Sequence, residues 1–168
     1  MQKKLRVFAA ISTLISLTFA LNLQPSVADN PQPRKIYSGW LPYYSMKTSL
    51  PAALNNIDLM KEAMPFWYTF KYNGTKASIT DLYTPANPSV PINQPLATMR
   101  SAGLTIIPTI TDGTDKLVLA NLLSTDSGRS AAVQVITDLV MQNNFDGIDL
   151  DWENFAFVDG NTSWDSTK

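Results

Sequence analysis

The chain has no histidine and no cysteine among its 168 residues. The first absence excludes Ser-His-Asp and Cys-His chemistry and any histidine-bearing zinc site within this segment. The second removes disulfides, thiolate chemistry and a lipidated cysteine anchor. An excess of charge is lacking too: 13 basic and 14 acidic residues leave a net charge of -1. Such a balance gives no electrostatic footprint for nucleic acid or an anionic membrane. There is no phosphate loop, dinucleotide fingerprint or internal repeat. Acid–base work therefore falls to carboxylates, lysine or tyrosine, and no pattern asks for a metal or an organic cofactor.

Residues 1–28 read as a secretory signal peptide. Lys3, Lys4 and Arg6 form a positive start, Val7 to Leu23 an apolar run, and Ser26-Val27-Ala28 a small-residue cleavage site. The run is short for a membrane span and carries Ser and Thr, so the expectation is an exported chain without stable membrane association. Residues 29–34, with Pro31 and Pro33, read as an extended linker, and 35–168 as the folded part.

Strand and helix patterns alternate through that part. Ile36–Trp40 is the first strand candidate, with Gly39 marking a close backbone approach or a bulge. A helix is expected over Ser49–Glu62, capped by Ser49 with Pro51 in its first turn. Met64–Phe70 reads as a second strand, with Phe66, Tyr68 and Phe70 on one face and Trp67 and Thr69 on the other. Tyr72–Pro91 is turn-rich and suits a small hairpin; Asn93–Ala102 is a short helix stopped by Gly103. Leu104–Ile110 is an apolar run suited to a buried parallel strand, whose regular part is expected to end near Ile107 because of Pro108. Helices follow at Lys116–Leu123 and Ser127–Asn143, the latter with Ala132, Val135, Ile136, Leu139 and Val140 on one stripe. This order predicts βα units and a parallel sheet.

The most informative stretch is Phe145-Asp146-Gly147-Ile148-Asp149-Leu150-Asp151-Trp152-Glu153. As a strand it puts Asp149, Asp151 and Glu153 on one face and Ile148, Leu150 and Trp152 on the other. Three ionised carboxylates cannot line an ordinary core, but they suit the solvated mouth of a barrel whose outer face packs under helices. Cα atoms on one face lie roughly 6.5–7 Å apart, so each charge opposes the next and at least one carboxyl should keep its proton near neutrality. That is the requirement for a general acid. The bland alternative is a helix cap or a structural cation site, against which stands the lack of an oxygen-rich loop.

Asp146-x-x-Asp149-x-Asp151-x-Glu153 resembles the D-x-x-D-x-D-x-E signature of the family 18 glycoside hydrolases, the chitinase-like family. All four positions are filled, and Phe145, Gly147, Ile148, Leu150 and Trp152 also match its flanks. Pro65-Phe66-Trp67-Tyr68 is similar, less specifically, to the second strand of the bacterial, spore-cortex-lytic-like branch. The resemblance implies a TIM (β/α)8 barrel, of which this chain supplies about the first four βα units. It implies retaining hydrolysis of β-1,4-linked N-acetylglucosamine polymers, with the substrate's acetamido oxygen as nucleophile in place of a second carboxylate. Glu153 would protonate the glycosidic oxygen and then activate water. Asp151 would orient the acetamido group, Asp149 would pair with Asp151 and share its proton, and Asp146 would support the strand's start. Trp40, Tyr43, Trp67 and Tyr68 are candidate sugar-stacking aromatics. Chitin, peptidoglycan or cortex glycan and N-glycan cores are all compatible substrates, and Leu104–Ile110 lacks the Ser-x-Gly-Gly pattern of better-known chitinases. A noncatalytic glycan-binding protein on the same fold is the alternative; such proteins usually lose the acid that Glu153 supplies here. The resemblance also predicts that residues 29–168 alone are inactive, because the family's later strands complete the site. Turnover of a chitin oligosaccharide by that purified span would contradict this.

Overall fold

The structure, a computed structural model, describes residues 36–160. The predicted signal peptide and linker, and residues 161–168, lie outside the described residues. The described part is α/β: strands and helices alternate, and the strands form one curled, mainly parallel sheet, a half-barrel. The chain runs β1 (Tyr37–Pro42), α1 (Met46–Asn55), β2 (Met60–Tyr72), β3 (Ala77–Asp81), α2 (Tyr83–Ala86) and α3 (Asn93–Ser101). It continues through β4 (Thr105–Ile106), β5 (Thr109–Asp112), α4 (Val118–Leu123), α5 (Asp126–Asn143), β6 (Asp149–Asp151) and α6 (Asn154–Phe157). The sheet order is β1-β2-β5-β6, all parallel, with β4 also parallel to β2 and β3 antiparallel to it.

Several boundaries differ from the sequence reading, each for a local reason. The helix expected over Ser49–Glu62 begins and ends earlier, at Met46–Asn55. Ser49 does not cap it: its hydroxyl donates back to the Ser45 carbonyl one turn earlier. Pro51 consequently sits inside the helix rather than in its first turn. The chain then turns through Asn56, whose carbonyl accepts from the Leu59 and Met60 amides, and enters β2 four residues ahead of expectation. β2 is long because it has partners on both edges: β1 and then β3 on one side, β4 and then β5 on the other.

The single strand expected at Leu104–Ile110 is two short strands interrupted at Ile107-Pro108. Pro108 has no N–H to give the ladder, yet its carbonyl accepts from the Asp149 amide at 3.0 Å, and pairing resumes immediately after it. The regular part therefore does not stop at Ile107. In β2, the expected alternation fails at Trp67. Phe66 pairs with Thr109 but Tyr68 with Ile110, so Trp67 is one extra residue opposite β5. This is a β-bulge, and it changes which side of the sheet the following residues face.

The core lies where helices cover the sheet. Ala63, Phe70, Ile106 and Ile110 from the strands are buried with Ala53, Leu96, Met99, Leu119 and Ala132 from the helices. Close approaches explain two glycines. A Cβ at Gly39 would stand 3.1 Å from Met60 Cε, so the close neighbour is the tip of a side chain and not the backbone expected there. At Gly128, early in α5, a Cβ would lie 1.8 Å from the Leu122 carbonyl oxygen of α4. Thr125 caps α5 by accepting the Gly128 amide at 3.0 Å, so helix start and helix contact coincide. No helix among the described residues is long and apolar enough to cross a membrane.

Gly128→Ala should destabilise the fold despite alanine's better helix propensity. The propensity gain is about 1 kcal/mol at most, whereas forcing backbone apart typically costs about 1–3 kcal/mol. Urea denaturation should show a lower midpoint with an unchanged slope.

Candidate active site

The acidic stretch is less uniform than one extended strand. Only Asp149–Asp151 belongs to the ladder, paired with Thr109–Thr111 of β5. Asp149, Asp151, Thr109 and Thr111 accordingly share the concave face. Asp146, upstream, is a backbone clamp. Its amide donates to the Ile106 carbonyl at 3.0 Å, and its Oδ2 accepts from the Ile106 amide at 2.7 Å. Glu153 leaves strand geometry, with φ -81° and ψ -12°, and its carbonyl accepts from Ala156 and Phe157 at the start of α6. Its carboxylate is exposed and close enough to act electrostatically on Asp151.

On the opposite face, Ile148 and Trp152 pack against the core as expected, and the Trp152 ring meets Phe70 with centroids 5.7 Å apart. Leu150 does not pack: it is 45 % exposed, because β6 lies at the sheet's edge and no described helix covers it.

Asp149 is the best-held carboxylate. Its Oδ2 accepts the Trp40 indole N–H at 3.2 Å and the Thr109 hydroxyl at 2.8 Å. Trp40 stands on β1, and two strands separate it from β6 in the sheet. Three strand spacings would set flat strands about 14 Å apart, so this contact requires the sheet to curl toward the acidic face. Asp149 thus takes its hydrogen bonds from neighbouring strands, and its influence on Asp151 is exerted through charge.

Asp151 is half-buried, and its carboxyl is held above the usual carboxylate range. Desolvation by burial is the main cause, followed by the neighbouring Glu153 and Asp149 charges. The upward shift thus falls on the middle of the acidic row, on the residue flanked by both others.

Four aromatics were candidates for sugar contact, and they separate clearly. Trp40 is 55 % exposed on the acidic face, with its ring tilted against Phe66 at 5.7 Å. Tyr43 lies in the turn after β1, half-buried, edge-on to Tyr44. Trp67 has no exposed surface: it packs on Tyr83 with centroids 4.5 Å apart, so it is a core residue. Tyr68 is also a core residue, packed on Phe145, and burial, then the Asp81 charge, drive its hydroxyl pKa upward. The bulge accounts for Tyr68, which strict alternation from Phe66 puts on the acidic face; Trp67 is the bulged residue itself, and alternation already set it opposite Phe66.

Sequence reasoning did not see that Thr109 holds Asp149. The available signal was that parallel neighbours at equal height share a face. It also missed the brace behind α6. Asp159, buried, accepts the Leu117 amide at 2.5 Å, and Asn154 Nδ2 donates to the Thr114 carbonyl at 3.4 Å. Leu117 takes a left-handed conformation, φ 63°, at this junction. The segment after Glu153 is thereby tied to the loop after β5. Among the described residues no group of three or more His, Cys, Asp or Glu side chains is arranged to hold a metal ion.

No protein-family model and no curated protein matches the chain.

The raised Asp151 pKa has a signed consequence for stability. The native state binds this proton more tightly than the unfolded chain does. The resulting stabilisation is complete below the unfolded value, about 3.9, and is lost as pH rises through the folded value. Asp151→Asn is neutral at every pH. Its Tm relative to the parent should therefore climb as pH rises above about 4; parallel Tm curves through that rise would contradict the assignment.

Proposed function

We propose that the chain carries the catalytic strand of a retaining glycoside hydrolase of the family 18 type. It acts on β-1,4-linked, N-acetylglucosamine-containing polysaccharide outside the cell or in its envelope. Its half-barrel would form the first four βα units of a TIM (β/α)8 barrel. The observation that carries this reading is the acidic row at the end of β6, with Asp151 set between Asp149 and Glu153 and its carboxyl pKa raised by burial and by those two charges.

The chemistry follows from those positions. Glu153, exposed at the strand's end, donates its proton to the glycosidic oxygen as the bond to the anomeric carbon breaks. The substrate's acetamido oxygen attacks that carbon from the other face, so retention results without a second protein carboxylate. Asp151 orients the acetamido group and stabilises the positive charge that develops on it. Asp149 is fixed by Trp40 and Thr109, and it supplies negative charge behind Asp151. In the second half, Glu153 as carboxylate takes a proton from water, which opens the cyclic intermediate and restores the acid.

In the protein carrying the whole catalytic domain, Glu153→Gln should preserve the fold and lower kcat by about 10²–10⁴-fold. Asp151→Asn should impair N-acetylated substrates most. Trp40→Phe, which keeps the ring but removes the donor to Asp149, should lower kcat by about tenfold. Near-normal turnover of a chitin oligosaccharide by Glu153→Gln would sink the reading, and binding without any turnover by the parent would favour a glycan-binding protein.

A further inference from the structure

A groove of about 760 Å³ opens between the β2–β3 turn and the α4–α5 pair, and none of its lining belongs to the acidic site. It lies between elements that are paired and packed within the described part, away from the open edge strands β1 and β6. Tyr72 and Leu122 contribute its aromatic and apolar surface; Asn73, Asp115, Asn121 and Ser127 contribute polar surface.

These polar groups have capacity to spare. Asn73 uses Oδ1 to accept the Thr75 and Lys76 amides, which leaves its NH2 as a donor. Asn121 engages Ser124 through its backbone carbonyl, which leaves its side-chain amide free for a ligand. Asp115 engages Thr114 and Val118 through its backbone carbonyl, leaving the carboxylate as an acceptor. The Tyr72 hydroxyl donates to the Gly74 carbonyl at 2.9 Å, so the ring is held in place.

The lining's charge selects the ligand class. It holds one carboxylate and no lysine or arginine, so an anion is disfavoured. One carboxylate is too few oxygen ligands for a hard cation. A wholly apolar ligand would desolvate the amides and carboxylate without compensation. What remains is a neutral molecule that both donates and accepts hydrogen bonds and offers an apolar face to an aromatic ring. The volume lies within the roughly 300–1,000 Å³ of small-molecule sites. We propose that this groove is a second binding site, for a short neutral glycan. The assignment rests on the groove's own chemistry and does not require the hydrolase reading.

The test is amide NMR on isotope-labelled protein carrying Glu153→Gln, so that nothing is turned over. It is titrated with the β-1,4-linked N-acetylglucosamine trisaccharide, cellotriose, maltotriose and, as an anion control, inorganic phosphate. At least one glycan should shift the side-chain amides of Asn73 and Asn121 with a dissociation constant on the order of millimolar, and phosphate should not. Asp115→Ala and Asn121→Ala should each weaken that binding by about tenfold while leaving hydrolysis of a short soluble substrate by the Glu153 protein unchanged. The proposal is overturned if no glycan shifts these groups, if phosphate shifts them equally, or if both substitutions leave binding intact. Groove binding by the protein carrying the whole catalytic domain, with hydrolysis of none of these sugars, would overturn the proposed activity alone; hydrolysis by it without groove binding would overturn the groove alone.

Discussion

Two hydrogen bonds to one oxygen atom, Asp149 Oδ2, join the ends of the sheet. Trp40 reaches it from β1 and Thr109 from β5, so the curl of the half-barrel and the placement of the acidic row are one problem with one solution. Were the sheet flatter, Trp40 would stand too far away. Were Asp149 apolar, the indole N–H and threonine hydroxyl would each lose an acceptor. The electrostatic character of the site then follows by position: Asp151 lies between one braced carboxylate and one exposed one, is partly withdrawn from water, and has its pKa raised by all three circumstances.

The bracing extends beyond the acidic residues. Asp146 clamps the start of the strand onto Ile106, and Asp159 and Asn154 tie the segment after it to the loop that follows β5. Carboxylates therefore serve two opposite purposes within fifteen residues. Asp146 and Asp159 are structural acceptors for backbone amides. Asp151 and Glu153 are spent on no backbone amide among the described residues, the first partly withdrawn from water and the second exposed.

Alternating strands and helices, the long α5 stripe, the Gly103 stop and the common face of Asp149 and Asp151 were all legible in the sequence, because each is set by local periodicity or by one residue's backbone preference. The misplaced features depend on long-range pairing. Ser49 looked like a cap because hydroxyls near proline often are; its bond to the Ser45 carbonyl depends on a helix already begun at Met46. Pro108 looked like a terminus, yet β2 supplies partners on both sides of the interruption. Leu150 had a core residue's pattern, but exposure depends on what covers an edge strand, which periodicity does not encode. Tyr68 was moved off the acidic face by a bulge at Trp67 that is visible only once β2 and β5 are aligned.

That bulge makes β2 a strand whose length matters more than its composition. Trp67 acts as a phase shifter: residues before it keep one side-chain frame relative to β5, and residues after it keep the other. An exchange of one apolar residue for another along Met60–Phe66 alters packing at a single point. Loss of a single residue there would slide the earlier frame by one and turn Ala63, which is fully buried, toward the wrong side of the sheet. The number of residues ahead of Trp67 thus sets which side of the sheet each of them faces.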